Sequence, residues 1–463
     1  MNFSFRRKID NYIYVIVLAV AIFLAGCQPE NVREEKALRR ELAKEMRNHS
    51  YETAVPIARQ LVRKQPQDGR TWKRLLQAQL GLRDFDGAKQ TLLDWRTTVQ
   101  PAPTHTDEYE GDIARAENDL PRALEAWRKA AAVQPKRRSA FDKIAELEQS
   151  RQHWNEAFDA WTGSLKAKDN SRARINRAIC ARRLRRWDEA ISDLHHAQKL
   201  AGQDAEVQRW SKAFENLGKF LDEIRELDAK LVELPGDVDL LGERALMLLR
   251  SGDPELALDD CEVAVRMAPW AIRPKLFQAI ALIALQRPKE CERLSIRQPL
   301  RLESLNAEFL ETISRLDSAI SVEPKNSDHY AARSWQLNEI GQPLLALQDA
   351  EMAAKLDPKS ASACAEVSFA LTKLGRAYDA FARILAAAEL DPNVASVWQY
   401  RGELEMQRGN NMAAIESLSR ALTIEQTAAA LQKREECYRR VGLLARADED
   451  HRAWQTLTAK GLK

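Results

Sequence analysis

No GxxxxGK[ST], HExxH, GxSxG or CxxC occurs in the 463 residues. These patterns hold a phosphate, a catalytic zinc, a strained serine nucleophile and a metal or redox pair. Without them the chain reads as a non-enzyme that needs no cofactor and no metal. Glycine and proline number only 17 each, which excludes collagen-like and proline/glycine-rich low-complexity architectures. A net charge of +3 is too near neutral to argue for nucleic acid. Histidine is sparse, and His195-His196 is the only adjacent pair. Adjacent helical positions point about 100° apart, so the two read as polar surface or packing residues, not as a chelating pair. Long apolar runs are scarce too. The longest, Tyr12–Ala25, has 14 residues, short of the ~20 that cross a bilayer core as a helix.

That run lies behind a basic head, Arg6, Arg7 and Lys8, with Asp10 between them. Its length fits the apolar region of a secretory signal. It ends on Leu24-Ala25-Gly26-Cys27, and polar sequence follows. The stretch resembles the lipobox of bacterial lipoproteins. The resemblance implies that 1–26 is a signal peptide, that Cys27 becomes the acylated N-terminus, and that 27–34 is a lipid-anchored linker. One acyl chain gives marginal membrane binding at ~0.8 kcal/mol per buried methylene, and two suffice; this family carries three. Gln28, where Asp would favour inner-membrane retention, points to an outer-membrane lipoprotein facing the periplasm. The competing reading is an ordinary secretory signal or uncleaved anchor with an incidental cysteine. The other cysteines, Cys180, Cys261, Cys291, Cys364 and Cys437, are far apart and odd in number. They read mostly as small buried apolar residues, with a Cys261–Cys291 pairing left open.

Charged residues make up 30% of the chain, and alanine, leucine, arginine and glutamate dominate, a composition suited to long helices. A repeat organises them. Pro324, Pro358 and Pro392 are 34 residues apart, as are Pro235 and Pro269. Ala54, Ala88, Ala123, Ala157 and Ala190 step by 33–35, and Ala346, Ala380 and Ala414 by 34. Tyr51, Phe85, Leu120, Trp154 and Trp187 stand three residues before the first set. Ala361–Pro392 shows the logic of one repeat. Cys364, Val367, Ser368, Leu371 and Leu374 share a helical stripe. Gly375 supplies a left-handed cap. An alanine-rich second helix over about Tyr378–Glu389 is stopped at Asp391-Pro392.

This pattern resembles the tetratricopeptide repeat, most fully at Trp398, Gly402, Gly409, Ala414, Leu418 and Ala421 and again at Tyr330, Gly341, Ala346, Ala353 and Pro358. Glu223 and Gln426 depart from it. The resemblance implies an all-α, right-handed superhelical solenoid of helix-turn-helix repeats whose first helices line a concave wall. The Pro269–Pro324 interval exceeds the period by 21 residues. Allowing for it, about twelve repeats fit, over 35–286 and 307–463, with an insertion at 287–306 between the two helices of one repeat. The insertion contains Pro288, Pro299 and several basic residues, and reads as a mobile spacer or as a loop that caps a binding surface.

Two candidate sites follow. Arg172, Arg174, Arg177, Arg182, Arg183, Arg185 and Arg186 crowd one stretch with no acid among them. They read as a solvated, snorkelling helix or as a site for an anionic partner. Leu246, Ile280, Trp335 and Phe369 share one register away from the packing stripe. They read as a concave groove for a peptide or helix, or as packing against adjacent first helices. The function expected is a lipid-anchored envelope scaffold that binds other envelope proteins or peptide segments and assists an envelope or export complex. The alternative is a glycan- or anion-binding component of a polysaccharide export system. Nucleic acid is the least favoured partner. Changing Cys27→Ser should leave an uncleaved or soluble precursor. Mass spectrometry that finds an unmodified mature N-terminus on a still membrane-bound chain would refute the anchor.

Overall fold

The computed structural model describes residues 30–101, 103 and 106–459. The signal segment 1–26, the lipobox and Cys27 lie outside the described residues. The chain divides into two compact units, one ending at Ser211 and the other starting at Lys212.

The first unit contains α1 (Glu30–Arg47), α2 (Tyr51–Lys64), α3 (Gly69–Gly81), α4 (Phe85–Thr98), α5 (Thr106–Ala116), α6 (Leu120–Val133), α7 (Arg138–Ser150), α8 (Trp154–Ala167), α9 (Ser171–Arg183) and α10 (Trp187–Ala201). The boundary falls within α11 (Ala205–Gly218). The second unit continues with α12 (Leu221–Glu233), α13 (Val238–Ser251), α14 (Pro254–Met267), α15 (Arg273–Ala284), α16 (Ala307–Val322), α17 (Ser327–Glu339), α18 (Pro343–Leu356), α19 (Ala361–Lys373), α20 (Ala377–Leu390), α21 (Ala395–Gln407), α22 (Asn411–Ile424), α23 (Ala428–Arg440) and α24 (Leu444–Ala459). Taken in order these are twelve tandem hairpins, with no strand among the described residues. The architecture is an all-α solenoid of helix-turn-helix repeats. Residues 30–34, expected in a linker, already belong to α1.

Local chemistry explains the hairpins. The Ser360 side chain accepts from the Ala363 amide and starts α19. Gly375, at φ +74°, turns the chain after it, a conformation that glycine adopts without steric cost. In the turn the Arg376 amide donates back to the Leu371 carbonyl at 2.9 Å. Ala380 and Ala414 are wholly buried where second helices meet first helices. The approach is tight. Ser368 Oγ donates to the Ala380 carbonyl at 2.8 Å. A Cβ added to Gly402 would meet Leu418 Cγ at 2.6 Å and the Ala414 carbonyl oxygen at 3.3 Å.

A second device repeats with the hairpins. Arg177, Arg244, Arg333 and Arg434 on first helices each donate two bonds of 2.6–2.8 Å to an aspartate sixteen residues later, Asp193, Asp260, Asp349 and Asp450. Such two-pronged pairing fixes geometry as well as charge. Arg244 and Arg333 also reach back to Asp228 and Asp317, sixteen residues earlier. Burial alone would lower the Arg333 pKa, but Asp349 and Asp317 more than offset it and hold it above the ordinary arginine value. Asp317 further accepts from the Ile272 and Arg273 amides at 2.9 Å, tying α16 to the start of α15.

The insertion is a packed segment, not a mobile spacer. Two short 3-10 turns, Pro288–Leu294 and Leu302–Ser304, fold it between α15 and α16. Cys291, Ile296, Leu300 and Leu305 are buried, and Gln348 on α18 donates to Ser295 Oγ at 2.8 Å. Cys261 and Cys291 are both free, buried thiols.

Replacing Ala380 or Ala414 by leucine should overpack its hairpin and cost ~1–3 kcal/mol. Hydrogen exchange should rise only near the altered repeat, because repeat stability is a sum of nearest-neighbour terms. A variant as stable as the parent would show that these contacts are not limiting.

Candidate functional site

The first helices of the last three hairpins carry a linked set of aromatic and charged side chains. Phe369 on α19 stacks on Tyr400 of α21, with ring centroids 4.3 Å apart and planes 3° apart. Parallel aromatic pairs of this kind contribute ~0.5–1.5 kcal/mol beyond their area burial. Tyr400 donates its hydroxyl to Glu366 Oε1 at 2.7 Å, across the same pair of helices. Lys373 Nζ lies 4.9 Å and Lys433 Nζ 5.9 Å from the Phe369 ring centre. Glu403 joins the two ammonium groups: Lys373 donates to it at 2.9 Å, and Lys433 on α23 binds its other oxygen. The result is an aromatic floor edged by a Lys–Glu–Lys chain over α19, α21 and α23.

Three of the four expected groove residues do not line an open groove. Leu246 is 7% exposed, Ile280 8% and Phe369 2%, whereas Trp335 on α17 is 43% exposed. The reason is geometric. A first helix in a stack has its own second helix on one side and further first helices on others. For Phe369, the face turned away from the second helix is covered by Tyr400 and by the lysines. Position on the helical wheel therefore finds the first-helix face but not which part of it stays open. Trp335 stays open; Leu246, Ile280 and Phe369 support the stack.

The arginine-rich stretch is largely matched within the fold. Arg172 pairs with Glu146 at 3.0 Å. Arg174 bridges Asp169 and Asp193, at 2.9 and 2.8 Å. Arg177 also binds Asp193, and Arg186 binds Glu189, both at 2.6 Å. Arg182 lies over the Trp210 ring and Arg183 over the Trp154 ring; Arg185 also has a partner. Apart from Asp169, in the loop just before the stretch, the acids come from neighbouring helices, so the stretch alone could not show them. Hence the run is not a bare cationic surface. His195 and His196 are exposed, and His196 Nδ1 bonds the Ser192 carbonyl at 2.7 Å. Among the described residues no cluster of three or more His, Cys, Asp or Glu could hold a metal ion.

Glu366, Tyr400, Glu403 and Lys433 were not foreseen. A signal did exist: Glu366 and Tyr400 are 34 residues apart and occupy one column of successive repeats. Their contact needs adjacent first helices, which the column by itself does not reveal.

No protein-family model matches the sequence, and no curated protein matches it. Among solved structures, the chain is similar to yeast Tom70, at 12% identity over 91% of this chain and 97% of that one, with a TM-score of 0.25. It is similar to PilF of Pseudomonas aeruginosa at 14% identity, over 48% and 91% of the two chains, with a TM-score of 0.25. A third similarity is to YrrB, described as a TPR protein with an unusual peptide-binding site, at 19% identity over 44% and 95%, with a TM-score of 0.23. Likenesses this distant carry no argument about partner or activity.

Glu366 gives the face a measurable property. Burial pushes its carboxyl up to about 8, against the lowering effect of the Tyr400 hydrogen bond. The folded chain thus holds a proton that the unfolded chain releases near the ordinary glutamate value. Stability from this group is greatest at acid pH and falls as pH rises through the window between that value and about 8. Glu366→Gln removes the titration. The unfolding midpoint of the variant should therefore gain on the parent as pH is raised from about 5 to about 8.5. A difference that stays constant over that range would contradict the assignment.

Proposed function

We propose that this chain is a lipid-anchored scaffold of a bacterial envelope that holds segments of other envelope proteins on the first-helix face of its second unit. In this role it assists assembly of an envelope or export complex. The observation that carries the reading is the open indole of Trp335 on α17, within a run of first helices whose later members supply the aromatic floor and the Lys–Glu–Lys chain. An exposed tryptophan on the same run of first helices as paired charges suits protein recognition, where aromatic anchors dominate the binding energy and charges set orientation. The lipobox-like segment ending at Cys27 supports the membrane anchor, and Gln28 the outer membrane. Internal pairing in the arginine-rich stretch weighs against the glycan- or anion-binding alternative.

Tagged full-length protein extracted from membranes in mild detergent should co-isolate protein. Trp335→Ala should reduce that capture by at least about tenfold, the loss of a hot spot worth ~2 kcal/mol, with little change in the unfolding midpoint because the indole is open. Capture of glycan without protein, or unchanged protein capture by the variant, would overturn the reading.

A further inference from the structure

The insertion builds a cleft that the first-helix face does not explain. Ser295, Arg297 and Gln298 form one wall; Gln342, Pro343 and Leu344 at the start of α18 form another; Lys373 and Leu374 at the end of α19 close it. The half-open cleft has a volume of about 200 Å³, room for one side chain or a small acid. The chemistry of its lining is one-sided. Arg297 and Lys373 are cationic, and no aspartate or glutamate lines the cleft.

Two further observations point to a ligand. α18 is a 14-residue helix whose N-cap residue, Gln342, makes no side-chain capping bond. The first-turn N–H groups of a helix carry partial positive charge and favour an anion. Gln342 is itself only 3% exposed, and its carboxamide has no partner among the described residues. Its polar atoms are not sealed from solvent, so the carboxamide opens into the cleft that it lines and can bond a ligand there. At the opposite wall, Ser295 is held at φ +59°, a conformation unfavourable for a residue with a side chain. Ser295 Oγ accepts from Gln348, which leaves its hydroxyl proton free to donate into the cleft. Lys373 spends one N–H on Glu403 and keeps others.

We propose that this cleft binds a carboxylate. The guanidinium of Arg297 and the ammonium of Lys373 neutralise it, the Ser295 hydroxyl, the Gln342 amide and the α18 N-terminus donate to it, and Pro343, Leu344 and Leu374 pack on its aliphatic stem. Two sources offer this chemistry, an acidic side chain of a bound peptide and a free small acid. The peptide source rests on the scaffold reading, since Lys373 belongs both to the cleft and to the Lys–Glu–Lys chain.

Calorimetric titration of the full chain tests it with three probes: a blocked five-residue peptide with a central glutamate, its glutamine counterpart, and N-acetylglutamate. The glutamate peptide should bind at least about tenfold more tightly than the glutamine peptide, as expected for a charge-assisted site. Arg297→Ala and Gln342→Leu should each weaken it by a similar factor. Arg301→Ala, an exposed change on the insertion outside the cleft, should not. Unchanged circular dichroism would confirm that the variants fold. N-acetylglutamate binding as tightly as the peptide would support the cleft and assign it to a free acid, even if no protein partner exists. Equal binding of the two peptides, unchanged binding by Arg297→Ala, or no binding of any probe would overturn the proposal.

Discussion

The alanine early in each second helix sets how closely the two helices of a hairpin approach. Ala54, Ala88, Ala157, Ala346, Ala380 and Ala414 are all wholly buried. Small side chains there let the backbones come near enough for Ser368 to bond the Ala380 carbonyl and for Gly402 to lie against the Ala414 turn. With that distance fixed, the larger residues of each hairpin have determined places. Trp95, Trp127 and Trp161 on second helices are fully buried in the first unit. Close packing at this density tolerates little change in volume.

Charge is arranged around the same frame. An arginine buried between helices would be costly alone, since desolvation of one ion reaches several kcal/mol. Here each is met by an aspartate at a fixed spacing, in some hairpins by two. Arg333 is the fullest case, held by Asp317, Asp349 and the Trp270 carbonyl. These pairs define which helix neighbours which, a role in register more than in net stability. The same logic absorbs much of the arginine-rich stretch. Arg174 and Arg177 converge on the buried Asp193, so a run with no acid within it becomes matched once its neighbours are in place.

The features proposed for binding sit where the repeat is interrupted or left uncovered. Trp335 is open while Phe369, one period later, is covered by Tyr400. The insertion breaks the period and buries four apolar residues of its own. By doing so it brings Arg297 and Gln298 to the uncapped start of α18. Both features are departures from an averaged repeat.

What the sequence determined by itself is the helical period. The proline and alanine spacings, the glycine at 375 and the excess between Pro269 and Pro324 were enough for all-α hairpins, about twelve of them, with one insertion inside a hairpin. These are local signals: helix stops, turn conformations and small residues act within one repeat, so a single chain read in order contains them. The tertiary structure alone decided which first-helix residues remain open, which acids meet the arginines, and that the insertion is packed against α18 and α19. Those outcomes depend on side chains from about half a repeat to one and a half repeats away, such as Asp317 beside Arg333, Tyr400 over Phe369 and Ser295 beside Gln348. The wheel of one helix reports the direction of a side chain; only the neighbouring helices report whether anything stands there.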